Sequence, residues 1–120
     1  KVGVDDSIEW KDFLTREMLL EEINKTDIFV LLSDSEAFAI TVAESLSLGT
    51  MALLSDNTAL SEFSPVEGVL LAKDPDDFGD IAKRVLELRD REIKIGSFGQ
   101  KVVSWEDVSE SYLELYKELI

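Results

Sequence analysis

The sequence predicts an α/β fold, a parallel sheet with helices on both faces, and three observations carry that expectation. Short apolar runs at 28–32, 51–54 and 68–72 suit strands buried on both faces. They alternate with segments whose apolar residues recur at helical spacing, the order that builds parallel sheets through crossover connections. At 120 residues and 45% apolar composition, the chain has material for one core, so residues 1–120 are expected to form a single domain.

Lys1 to Ser7 has one apolar pair around a glycine and then two aspartates, compatible with a strand end. Ile8 to Leu14 alternates apolar and polar positions as far as Trp10 and resumes at Phe13, which predicts a short strand. Thr15 is a candidate N-cap for a helix over about 16–25, with Glu17 near the positive end of its dipole and Met18, Leu19 and Ile23 on its apolar face. After the strand at 27–32, a helix is expected from Thr41 to Leu48, ended by Gly49 in a left-handed conformation. Met51 to Leu54 follows as a strand, Ser55-Asp56-Asn57 punctuates it, and Thr58 to Phe63 reads as a short helix stopped at Ser64-Pro65. Gly68 to Ala72 is the next strand.

Asp74 as N-cap with Pro75 in the first helical position predicts a helix from Pro75 to about Leu88, with Phe78, Ile81, Val85 and Leu88 on one face. Arg89 to Val103 is expected to form a further helix, weakened by Gly96 and Gly99. Ser104 then caps a last helix, Trp105 to Ile120, whose stripe of Val108, Tyr112, Leu115 and Leu119 is expected to face the core.

The chain has no cysteine and no histidine, which removes disulfides, thiolate metal sites, imidazole bases and every Ser-His or Cys-His pair. Chemistry is left to carboxylates, hydroxyls, amines and backbone amides. With 26 Asp and Glu against 12 Lys and Arg, the formal charge of -14 repels a polyanion, so nucleic acid is not an expected partner. No apolar run has the length of a membrane span, and a cytoplasmic location is expected.

The stretch from Ser33 to Glu44 joins a strand to a helix, and α/β folds bind ligands at the carboxyl ends of such strands. Glu36 falls in the connection and Glu44 in the helix, eight positions on. Two carboxylates facing one crevice accept hydrogen bonds from a polyhydroxylated ligand. Backbone amides near Phe38 to Thr41 form a helix N-terminus suited to phosphate. Acceptors for hydroxyls beside donors for phosphate describe a nucleotide-sugar site. The plainer alternative is a solvated loop glutamate and a glutamate favoured by the helix dipole.

Ser33-x-x-Glu36-Ala37-Phe38-Ala39 followed by Glu44-Ser45-Leu46-Ser47-Leu48-Gly49 resembles the pattern of the family 4 retaining glycosyltransferases of GT-B fold, glycogen-synthase-like and mannosyltransferase-like enzymes. Lys25-Thr26-Asp27-Ile28-Phe29-Val30, Ser55 to Glu62, Asp74-Pro75 and Ser104-Trp105-Glu106 to Tyr116 extend the likeness over roughly residues 8 to 119. The resemblance implies the Rossmann-like donor-binding half of such an enzyme. It implies that Glu44 contacts the ribose hydroxyls of the donor and that Glu36, the catalytic candidate, lies by the donor sugar. The amides of Phe38, Ala39, Ile40 and Thr41 would hold sugar hydroxyl and diphosphate oxygens. A hexose is then transferred with retention from a nucleotide diphosphate sugar, without a metal or other cofactor. The triplet Asp74-Pro75-Asp76 is accordingly read as a cap and not as a metal motif.

The sequence departs from that pattern at Ala37 and Ala39, where glycine is usual, at Thr41, where proline is common, and at Met51. The family's upstream strands, with the arginine and lysine that grip the diphosphate, and its N-terminal acceptor domain have no counterpart here. The implied partners are therefore that acceptor domain and the donor. Any peripheral membrane association would run through those parts, and this stretch alone is expected not to turn over substrate.

Two other classes compete. A receiver-like phosphoacceptor domain would use Asp5, Asp6, Asp34, Ser55 and Lys73, but 28 positions between Asp6 and Asp34 are too few for its intervening elements. A non-catalytic α/β interaction domain would use the last helix, with Trp105, Tyr112 and Tyr116, as its docking surface.

Overall fold

The computed structural model describes residues 5–57, 59–91 and 104–120. Among them, after a 3-10 turn at Asp5–Ser7, the order is α1 (Arg16–Asn24), β1 (Ile28–Leu31), α2 (Ile40–Ser47) and β2 (Met51–Ser55). A second 3-10 turn (Leu60–Phe63), β3 (Val69–Ala72), α3 (Phe78–Arg89) and α4 (Trp105–Leu119) follow. The three strands form one parallel sheet in the order β1-β2-β3. Ile28 stands opposite Met51, and Ala52 opposite Val69. This is the α/β architecture expected.

The central strand explains the layering. Ala52, Leu53 and Leu54 of β2 have no exposed surface, and successive side chains point to opposite faces. Ala52 and Leu54 join Val42 and Leu46 of α2, Leu60 and Phe63 of the 3-10 turn, Val66 and Val69 in one core layer, with Phe29, Leu31 and Leu71 packed against it. Leu53 joins Ala72 and Leu88 of α3 in the other layer, with Ile28, Leu70, Ile81 and Val85 around them. Each fully buried leucine contributes roughly 1.5–3 kcal/mol by leaving water.

Helix α1 begins as expected: Thr15 Oγ1 accepts a hydrogen bond from the Met18 amide at 3.3 Å. Its buried residue is Ile23, while Met18 is exposed. It packs beside α2 and is fastened at its end by the buried Thr50 Oγ1, which donates to the Ile23 carbonyl at 3.0 Å. Helix α2 ends in a Schellman arrangement. The Gly49 amide donates to the Leu46 carbonyl and the Thr50 amide to the Ser45 carbonyl, while Gly49 takes φ 84°.

Several expectations are corrected. The strand expected at Ile8 to Leu14 does not form. Trp10 and Phe13 are 89% and 91% exposed, and among the described residues no strand pairs with this segment. Lys11 instead holds this segment to α1 through Glu22 at 2.7 Å, a contact that raises the Lys11 pKa and lowers that of Glu22. Strand β1 is an edge strand of the described sheet, so Val30 is left 45% exposed where burial on both faces was expected. The short helix expected before Phe63 does form, as a 3-10 helix over Leu60–Phe63.

Asp74 does not cap α3. Its Oδ1 accepts from the Asp76 amide, making a local turn, and Asp77 caps the helix by accepting from the Asp80 amide. The helix thus starts three residues later than Pro75, and Phe78 in its first turn is solvent-exposed. Arg89 belongs to α3, and residues 92–103 of the expected further helix lie outside the described residues.

Ser104 caps α4 with Asp107 in a reciprocal capping box. No α4 residue is buried, however, and Tyr112, Leu115 and Leu119 are exposed. Its amphipathic period is intact, but the stripe does not face the core. Among the described residues no helix is long and apolar enough to cross a membrane.

Two outcomes follow from these caps. Gly49→Ala should cost about 1–2 kcal/mol, the strain of a left-handed residue carrying a Cβ, read as a lowered urea midpoint. The Ser104 hydroxyl and amide lower the Asp107 pKa, so the carboxylate supports α4 above the ordinary aspartate range. That support is lost as the pH falls through the lowered value. Acid titration followed by the amide resonance of Ser104 should show its release there, and Asp107→Asn should abolish the step.

Candidate functional site

The connection from β1 to α2 spans residues 32–39 and crosses the carboxyl end of the sheet. Polar contacts with the loop after β2 hold it. The Ser33 carbonyl accepts from Ser55 Oγ at 2.5 Å and from Asn57 Nδ2 at 2.8 Å. Ser33 Oγ donates to Glu36 Oε1 at 2.8 Å. Glu36 is therefore held by its own loop, half-buried, five residues beyond the end of β1.

At the other end of the connection, Ala39 adopts φ 56° and ψ 63°, left-handed and unusual for a residue with a Cβ. That kink turns the chain into α2. The helix has no side-chain cap, and the first amides of a helix have no partner within it. Phe38 precedes the kink, half-exposed, with its ring 6.1 Å from that of Phe63.

Val42, Ser45 and Leu46 of α2 are buried toward the sheet. On its opposite flank Ile40, Ala43, Glu44, Ser47 and Leu48 line a groove of ≈ 870 Å³ completed by Arg16 and Leu20 of α1, Phe38, and Trp105 and Val108 of α4. The walls are mainly apolar, and the charged groups among these residues are Glu44 and Arg16. They form an ion pair at 2.5 Å, in which the Glu44 side chain is 19% and the Arg16 side chain 70% exposed. A cation in the first turn of α1 opposes that helix's own dipole, so Glu44 is the contact that favours its position.

The structure thus sets Phe38, Ile40 and Glu44 on one groove. Ala39 and Thr41 contribute backbone at the helix entry, where the Thr41 carbonyl accepts from Ser45 Oγ. Glu36 is not among the groove-lining residues and reaches Ser33 instead. Sequence reasoning named Ser55 only for the receiver-like alternative and Asn57 only as part of the segment that ends a strand, and it did not single out Arg16. Asn57 had a signal in its place just past a strand's carboxyl end, whereas Arg16 meets Glu44 across 28 residues and had none. Among the described residues no group of three or more His, Cys, Asp or Glu is arranged to hold a metal ion.

A parallel sheet with helices on both faces and polar loops at the strands' carboxyl ends puts the chain in the Rossmann-like class of α/β domains. Within that class the sequence matches the family described as Glycosyl transferases group 1 over residues 1–102. The chain belongs to this family, and its activity is that of a glycosyltransferase. No curated protein and no solved structure matches it.

The left-handed kink yields one expected outcome. Ala39→Gly relieves about 1–2 kcal/mol of backbone strain and adds about 0.5–1 kcal/mol of unfolded-chain entropy. Its urea midpoint should rise, corresponding to a net gain of up to about 1.5 kcal/mol.

Proposed function

We propose that this chain binds the nucleotide diphosphate sugar donor of a retaining, family 4-like glycosyltransferase and presents its hexose to an acceptor held by a further domain. The observation that carries the reading is Glu44: a carboxylate with little solvent exposure on the wall of an apolar groove, beside the entry to α2. An ionised carboxylate in such a place accepts charge-assisted hydrogen bonds from paired hydroxyls, and the apolar walls suit a base and the carbon face of a ribose.

In this proposal Glu44 holds the ribose and Glu36 lies by the donor sugar. The amides of Phe38, Ala39, Ile40 and Thr41 approach the sugar hydroxyl and diphosphate oxygens at the entry to α2. When the bond from the hexose to the diphosphate breaks, negative charge grows on the leaving phosphate, and the positive end of α2 favours it by about 0.3–1 kcal/mol per interaction. The chemistry calls on no metal and no other cofactor. The formal charge of -14 opposes a diphosphate, so binding by this chain is weak and transfer requires the acceptor-binding domain. The exposed stripe of α4, with Tyr112 and Tyr116, supports the presence of such a partner.

Titration calorimetry with UDP-, GDP- and ADP-linked hexoses on the wild type and Glu44→Ala tests the reading. Loss of the ribose acceptor should weaken the binding donor roughly tenfold, the effect of a charge-assisted hydrogen bond of about 1.5 kcal/mol. Equal affinity of the two proteins would remove Glu44 from the site, and steady donor hydrolysis during the titration would contradict the requirement for a second domain.

A further inference from the structure

We propose that Asn57 is a positioning residue for Glu36, acting through Ser33 from the loop after β2. The inference rests on the assignment of Glu36 to the donor sugar. The Asn57 amide is used on both sides: Nδ2 donates to the Ser33 carbonyl at 2.8 Å and to Ser55 Oγ at 3.2 Å, while Oδ1 accepts from the Leu60 amide at 3.2 Å. Ser55 Oγ donates to the same Ser33 carbonyl. That oxygen therefore receives two donors, matching its two lone pairs, and the Ser33 peptide is fixed from the neighbouring strand's loop.

The Ser33 hydroxyl in turn donates to Glu36 Oε1. A carboxylate held by one oxygen keeps the other free to accept from a hydroxyl of a bound sugar. Glu36 sits in a connection without helix or strand hydrogen bonding, so its direction depends on this chain of contacts. Removing the Asn57 donor leaves the Ser33 carbonyl with Ser55 alone and frees the peptide that carries the Ser33 hydroxyl. Asn57 touches no ligand in this scheme; it sets where Glu36 points.

The test compares UDP-glucose with UDP, and GDP-mannose with GDP, on the intact chain. Asn57→Ser keeps an oxygen able to cap Leu60 and takes away the amide nitrogen that reaches the Ser33 carbonyl, leaving a shorter hydroxyl in its place. It should lower affinity for the nucleotide sugar about five- to tenfold while leaving the matching diphosphate within twofold. Ser33→Ala should give the same selective loss, and the double variant no more than either alone, since residues acting along one path are non-additive. Where Asn57→Ser does not fold, Asn57→Asp preserves the cap and the shape, and its added charge acts on sugar and diphosphate ligands alike. An unchanged ratio of sugar to diphosphate affinity, with Glu44-dependent binding intact, overturns the role of Asn57 and leaves the proposed site standing. Absence of any Glu44-dependent binding overturns the site and this inference with it.

Discussion

Everything described depends on the burial of the centre of β2. Ala52, Leu53 and Leu54 are covered on one face by α2 and the 3-10 turn and on the other by α3, with a strand on each edge. A strand without exposed surface satisfies its backbone through both neighbours, which sets the register of β1 and β3. Register then places Ser33, Ser55 and Asn57 beside one another at the carboxyl edge. The polar cluster exists because two loops leave adjacent parallel strands at the same level.

The helix that follows β1 is constrained at both ends by backbone conformation. Ala39 enters it in a left-handed kink without a side-chain cap, and Gly49 leaves it in the same region of backbone space with its carbonyls answered. Between these points α2 has two faces with separate tasks. Val42 and Leu46 hold it to the sheet, while Glu44 on the outer flank meets α1 and the groove. The uncapped entry costs some helix stability and leaves amides toward the carboxyl end of the sheet, a disposition suited to an anion.

Much of this was legible locally. The strands at 28–31, 51–55 and 69–72 are runs whose apolar residues have no other reasonable use in water, and the caps at Thr15, Gly49 and Ser104 follow from side-chain chemistry within a few residues. Where two local solutions competed, the pattern misled. Asp74 and Asp77 both suit a cap, and the Asp74 side chain went to a turn. Ile8 to Trp10 alternate as a strand would, but pairing needs a neighbour, and among the described residues no strand pairs with them.

The sequence by itself determined the class of fold, the order of elements from α1 to α3, the absence of cysteine and imidazole chemistry, and the family-like spacing of Glu36 and Glu44. Each of these is a property of neighbours along the chain or of composition. Only the tertiary structure decided that Glu44 pairs with Arg16 on the groove while Glu36 turns to Ser33, that Asn57 and Ser55 secure that serine, and that the α4 stripe lies outside the core. Those are contacts between segments far apart in sequence or choices between equally amphipathic faces. Helical or strand periodicity says which residues share a face but not what that face will meet.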